Sequence, residues 1–156
     1  MDVSIIYVNY RTSRLVIDSI NSVKEKTQGI LYEIIIVDNN SGDGSLAKIQ
    51  EIHPDVITIQ SEKNVGFGQA NNLGLKKADG KYIFFLNPDT LLRNNAIGEL
   101  FRFLELNMNV GACGGNLYDE EGNATTSFSR KYPSFLWELL GILYIPSLCF
   151  SSRRSL

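Results

Sequence analysis

Tyr82-Ile83-Phe84-Phe85-Leu86-Asn87-Pro88-Asp89-Thr90 is the stretch that decides the reading of this chain. Five apolar residues of strand character stop abruptly in a polar cluster built around a proline. The same pattern occurs earlier, where Ile34-Ile35-Ile36-Val37 runs into Asp38-Asn39-Asn40-Ser41. Near-continuous apolar runs of this kind belong to parallel sheets covered on both faces. Such sheets take their ligands beyond the carboxyl ends of the strands. Asp38 and Asp89 are therefore expected to serve one shared ligand. Taken singly, each is equally well a turn-former.

Outward from these two strands the chain alternates. Val3-Ser4-Ile5-Ile6-Tyr7-Val8 is a first strand, followed by a helix capped by Thr12 or Ser13 with Val16, Ile20 and Val23 on one face. After Ser41-Gly42-Asp43-Gly44-Ser45, a short helix through Leu46 and Ile49 ends before Pro54. Val56-Ile57-Thr58-Ile59 is the third strand. Asn64-Val65-Gly66-Phe67-Gly68 opens a helix with Phe67, Ala70, Gly74 and Ala78 inward, and Asp79-Gly80 stops it. Asn94 is expected to cap a helix that buries Ile97, Leu100, Phe101 and Leu104. Val110-Gly111-Ala112-Cys113-Gly114 is expected as a fifth strand, and Asp119-Glu120-Glu121-Gly122 as a hairpin-like turn before Thr125. The fold class is α/β, a mostly parallel sheet with helices on both faces.

The 156 residues suffice for one sizeable core. Hydrophobic content of 44%, charged content of 21% and a net charge of -2 exclude a disordered tail and a membrane bundle. Arg153-Arg154 is too short a basic stub to imply nucleic acid. Cys113 and Cys149 have no metal-ligand spacing and are expected as buried thiols. Met1-Asp2-Val3 enters a strand at once, so a cytoplasmic start is expected. Residues 135–150 are apolar yet contain Glu138 and Pro146, and they fall short of the roughly 20 residues of a membrane span. The favoured reading is a helix, with Trp137 packing it, buried against protein beyond this chain; the other is a helix lying at a membrane surface.

Of the two acids, Asp89 is the expected metal ligand, because a hard cation bridging phosphates needs carboxylate oxygen. Asn87 either orients that loop or merely ends the strand. Asp38 suits the hydroxyls of a base or ribose. Gly66 and Gly68 let a ligand approach the backbone, and Gly74 permits close helix packing. Asn64 is read as a cap and Phe67 as core rather than a stacking platform. Backbone groups at Val8, Asn9 and Tyr10 can read the edge of a base, with the Tyr10 ring beside it. His53 is expected at the surface. The dinucleotide fingerprint, the P-loop and the nucleophile elbow are all missing, which excludes three common α/β enzyme classes.

Together these pieces resemble the nucleotide-binding half of a family 2 glycosyltransferase of GT-A fold, nearest the rhamnosyltransferase-like members. The resemblance spans residues 2–133, leaving 134–156 as the start of an acceptor region. It implies an inverting transfer of a sugar from a nucleotide-diphospho-sugar donor to a saccharide or lipid-linked saccharide acceptor of the cell envelope, at the inner face of the membrane. It implies that Asp38, with the backbone of Val8, Asn9 and Tyr10, walls the base, and that Asn64, Gly66, Phe67 and Asn87 belong to the nucleotide site. It makes Asp89 the last acid of a D-x-D motif, with Asn87 in the first place, holding Mg²⁺ or Mn²⁺. The general base has no match here: Asp119, Glu120 and Glu121 sit in a turn, and Glu138 in an apolar run. An expected homo-oligomer or membrane contact is assigned to 135–150.

Overall fold

The computed structural model describes residues 1–119 and 121–125. It contains β1 (Val3–Asn9), α1 (Ser13–Lys26), β2 (Tyr32–Asp38), α2 (Ser45–Ile52), β3 (Ile57–Gln60), α3 (Phe67–Leu75), β4 (Tyr82–Phe85), α4 (Ala96–Leu106), β5 (Leu117–Tyr118) and β6 (Ala124–Thr125). The chain divides into a first unit, Met1–Gly115, and a second that begins at Asn116. The expected boundary after residue 133 and the apolar stretch 135–150, with Trp137, Glu138 and Cys149, lie outside the described residues, as does Glu120.

In the first unit four parallel strands form one sheet in the order β3-β2-β1-β4. Every residue of β1 is buried, as are Ile34 to Asp38 of β2. Period-two alternation then sorts their side chains between two layers. Val3, Ile5 and Tyr7 join Ile34 and Ile36 in a core with Val16, Ile20 and Val23 of α1, Ile49 of α2 and Ile97 of α4. Val8 and Val37 meet Ala70 of α3 in a smaller core. Gly74 brings α3 so close to the sheet that an added Cβ would lie 2.6 Å from Ile6 Cγ2. The second unit shows an antiparallel pair, Leu117 with Thr125 and Tyr118 with Ala124. Among the described residues no helix is long and apolar enough to cross a membrane.

Several expectations are corrected. The Val110 to Gly114 run is not a strand; three glycines among residues 111–115 leave little side chain to bury against a sheet. β4, like β3, is an edge strand among the described residues rather than a buried one, and Phe85 is 53% exposed. Phe67 is 57% exposed at the first turn of α3, and Ala78 lies beyond that helix. Asn95, not Asn94, precedes α4, and its side chain pairs with the backbone N–H and C=O of Gln28 instead of capping. Cys113 is only half-buried.

His53 is buried rather than at the surface. Lys24 Nζ lies 3.3 Å from His53 Nδ1 and 2.6 Å from Asp55. With an ammonium donating to Nδ1, the ring proton sits on Nε2, which meets no hydrogen-bond partner among the described residues. Burial, then the Lys24 charge, lowers the His53 pKa. The unfolded chain therefore binds a proton more readily than the native state, and stability falls as pH drops below about 6.5. Urea unfolding between pH 7.5 and 5 should show this loss, and His53→Leu should remove most of it.

Candidate functional site at the carboxyl edge of the sheet

Because the strands are parallel, Asp38 at the end of β2 and Asp89 just past β4 leave the sheet at the same edge. β1 stands between them, so the strand ends are about 10 Å apart. The two carboxylates differ completely in their surroundings.

Asp38 is 2% exposed. Its Oδ1 accepts from Asn9 Nδ2 at 2.6 Å and from Ser41 Oγ at 2.5 Å. Its Oδ2 accepts from the Ser41 N–H at 3.0 Å and from Gln60 Nε2 at 2.9 Å. Burial alone would raise this carboxyl's pKa; the hydrogen bonds from Ser41, Gln60 and Asn9 outweigh it and hold the pKa below the usual range. Asn9 is equally committed, since its Nδ2 also donates to Ser41 Oγ while its Oδ1 accepts from the Thr12 N–H and Oγ1–H. That carbonyl serves the start of α1, where Thr12 makes no side-chain cap of its own. The expected contact of Asp38 with a base or ribose thus meets a carboxylate whose hydrogen-bond shell is already filled. Ser41, Thr12 and Gln60 complete this hub, and of these only Gln60 was not singled out by sequence reasoning.

A second layer joins the hub to the glycine-rich loop. Asn39 accepts from the Val65 N–H at 2.9 Å and donates to Asn64 Oδ1, which in turn accepts from the Gly66 N–H. Gly66 has φ +80°, a left-handed backbone suited to glycine that turns the chain into α3. Arg11 and Asn40 adopt φ 59° and 63°. Such geometry costs roughly 1–2 kcal/mol per non-glycine residue. The Arg11 N–H and Nε–H, both donating to Ser41, help to hold it there. Val8 is buried with Val37 and Ala70, so only its backbone can serve a ligand. Tyr10 is 44% exposed with the Arg11 guanidinium 5.4 Å from its ring centre. Tyr10, Arg11, Asn64, Gly66, Phe67, Asn87 and Asp89 are all solvent-facing.

Asp89 is exposed, and its carboxylate enters no hydrogen bond or ion pair among the described residues. The turn that carries it is closed by Thr90 N–H donating to Asn87 C=O at 3.1 Å. Among the described residues no three His, Cys, Asp or Glu side chains cluster as a metal cage. A single free carboxylate still fits a hard divalent cation that takes its other ligands from phosphate and water.

The sequence profile of Glycosyl transferase family 2 matches residues 4–152. The chain belongs to glycosyl transferase family 2. An uncharacterised glycosyltransferase of Nostoc sp. is 32% identical over 114 residues, 71% of this chain and 35% of its own length. The minor teichoic acid biosynthesis protein GgaB of Bacillus subtilis is 30% identical over 112 residues, 69% of this chain and 12% of its own. The chain thus spans about a third or less of these two family 2 relatives. Among solved structures, S. aureus TarS 1-349 in complex with UDP superposes with a TM-score of 0.62 at 21% identity, covering 69% of this chain and 33% of that TarS chain. The Pyrobaculum calidifontis mannosyltransferase PcManGT, solved with GDP-Man and Mn²⁺, gives 0.59 at 22%, covering 65% and 32%. These likenesses show the fold, and the parallel sheet with helices on both faces agrees with GT-A.

Proposed function

We propose that this carboxyl edge is the donor site of an inverting glycosyltransferase that moves a sugar from a nucleotide-diphosphate donor to a cell-envelope polysaccharide or lipid-linked saccharide. One observation carries the reading. Of the two carboxylates at the edge, one is consumed in shaping the loops and the other is presented free on a closed turn. The fold neighbours support it, since TarS is solved with UDP and PcManGT with GDP-Man and Mn²⁺, and GgaB adds a link to teichoic acid biosynthesis. The rhamnosyltransferase-like branch rests on the motif around Asn87 and Asp89 alone.

In this reading Asp89, with Asn87 beside it, holds Mg²⁺ or Mn²⁺ against the diphosphate. The cation, when bound, offsets the charge that grows on the departing nucleoside diphosphate. Val8 and Asn9 offer backbone groups to the base, beside the Tyr10 ring. Asp38 shapes that wall through Asn9 and Ser41. Asn64 and Gly66 line the donor side, and the exposed Phe67 offers an apolar face there. The base that deprotonates the acceptor hydroxyl is assigned to a further segment of a longer protein. A cytoplasmic site at the inner membrane face follows from the acceptor class, not from any described residue.

Calorimetry with UDP and with GDP, each with and without Mn²⁺, tests the assignment. The cation should tighten binding of the preferred nucleotide, and Asp89→Ala should cancel at least about tenfold of that affinity, or ~1.4 kcal/mol. Affinity and Mn²⁺ dependence unchanged in Asp89→Ala would refute it. The short coverage of GgaB favours a second reading, a donor-binding portion without transfer activity of its own. Turnover by the 156-residue chain would exclude that second reading.

A further inference from the structure

The Asp89 turn is tied to α1 by two serines. Ser19 is fully buried, and its Oγ donates to the Thr90 carbonyl at 2.6 Å. Tyr7 OH, also fully buried, lies 3.0 Å from the same Ser19 Oγ. A serine hydroxyl has one proton, and here Thr90 takes it, so Tyr7 must donate to Ser19. The result is a directed relay from the core of β1, through α1, to the residue after Asp89. One helical turn on, Ser22 Oγ accepts from the Leu92 N–H at 3.0 Å and donates to the Ser19 carbonyl at 2.7 Å. Leu86 and Leu92, both buried, fix the two ends of the segment, and the Leu86 N–H is held by the Ile6 carbonyl at 3.0 Å. Backbone at 86, 90 and 92 is thus fastened while the Asp89 side chain is left exposed.

We propose that Ser19 and Ser22 are positioning residues for the Asp89 carboxylate, with Tyr7 orienting the Ser19 hydroxyl. Neither serine reaches the ligand. Their effect is to hold the turn in one geometry, so that a cation at Asp89 meets a preformed ligand instead of ordering a mobile loop at the moment of binding. The inference rests on the reading of Asp89 as the metal residue.

The test uses the 156-residue chain and two readouts. Amide hydrogen exchange should accelerate at Thr90 and Leu92 in Ser22→Ala and in Ser19→Ala, with the β1–β2 ladder unaffected, and Ser22→Thr should restore protection at Leu92. Calorimetry with UDP and GDP should show the Mn²⁺-dependent gain in affinity reduced by about threefold or more in both alanine variants, with nucleotide binding in the absence of Mn²⁺ unchanged. Ser19→Ala also orphans the buried Tyr7 hydroxyl. The double variant Tyr7→Phe/Ser19→Ala removes that orphan and should regain stability without regaining the Mn²⁺ effect. Unaltered exchange at Thr90 and Leu92 overturns the proposal. So does a full Mn²⁺ gain in Ser19→Ala and Ser22→Ala while Asp89→Ala has lost it. If Asp89→Ala itself keeps the gain, the Asp89 reading fails, and the positioning role fails with it.

Discussion

Gly80→Ala is expected to destabilise the fold severely. A Cβ built at Gly80 overlaps the Ser4 backbone nitrogen and lies 2.6 Å from Ser4 Oγ and 2.7 Å from the Val3 carbonyl carbon. Two of these are main-chain atoms of the central strand, so no rotamer change relieves the clash. Nor can the loop retreat. Gly80 N–H donates to Ser4 Oγ and Asp79 N–H to Glu33 Oε1, while Lys81 and Tyr82 donate to the carbonyls of Met1 and Asp2. Overpacking against side chains costs typically 1–3 kcal/mol; against fixed backbone we expect about 3 kcal/mol or more, a large share of a domain's usual 5–15 kcal/mol. Gly68→Ala is the control, because a Cβ there meets nothing within 4 Å and the position is helical. It should be neutral or stabilising by up to about 1 kcal/mol. Urea unfolding of the two variants side by side should separate them clearly; equal midpoints would show that the Gly80 loop yields.

Asp38→Asn should cost about 2–4 kcal/mol although it changes almost no volume. Four donors converge on the wild-type carboxylate. A carboxamide has one acceptor oxygen, so whichever way it flips, its NH₂ faces donors from Ser41 together with Asn9 or Gln60. The loss of a buried charge returns some solvation energy, which is why the upper part of the range is not exceeded. The pH dependence supplies an independent check. The native Asp38 pKa is lowered, so its contribution is fully present above the unfolded value near 3.9 and is lost as pH falls through the native one. Asp38→Asn should therefore flatten the acid limb of the stability curve below about pH 4. A variant as stable as wild type at pH 7 would mean that the hub is ornamental.

What the chain reveals without coordinates depends on how local the cause is. β1 and β2 are legible because a strand buried on both faces is a near-continuous apolar run, and α1 because Val16, Ile20 and Val23 repeat at helical spacing. The Gly66 turn is legible because few other residues accept its backbone. The apolar residues of the 110–114 run suit a strand, but pairing needs a neighbour that composition does not supply. His53 and Phe67 depart from their expected burial in opposite directions, since both sit where a helix end meets its surroundings. At the carboxyl edge, the two acids could be picked out by their places after the strands. The difference in their surroundings could not. Gln60 reaches Asp38 from 22 residues away and Ser19 reaches Thr90 across 71, and contacts of that span leave no periodicity to read.

The central place of β1 also orders events in time. Its first partner, β2, follows within thirty residues, whereas β4 pairs Val3 with Tyr82. On a growing polypeptide, everything needed to satisfy Asp38 has been synthesised once Gln60 emerges, while the seat for Asp89 waits for a distant segment to return. Closing that long loop carries the larger entropic cost. The Asp38 hub should accordingly mature early during synthesis, and the Asp89 turn should be the last part of this edge to lock.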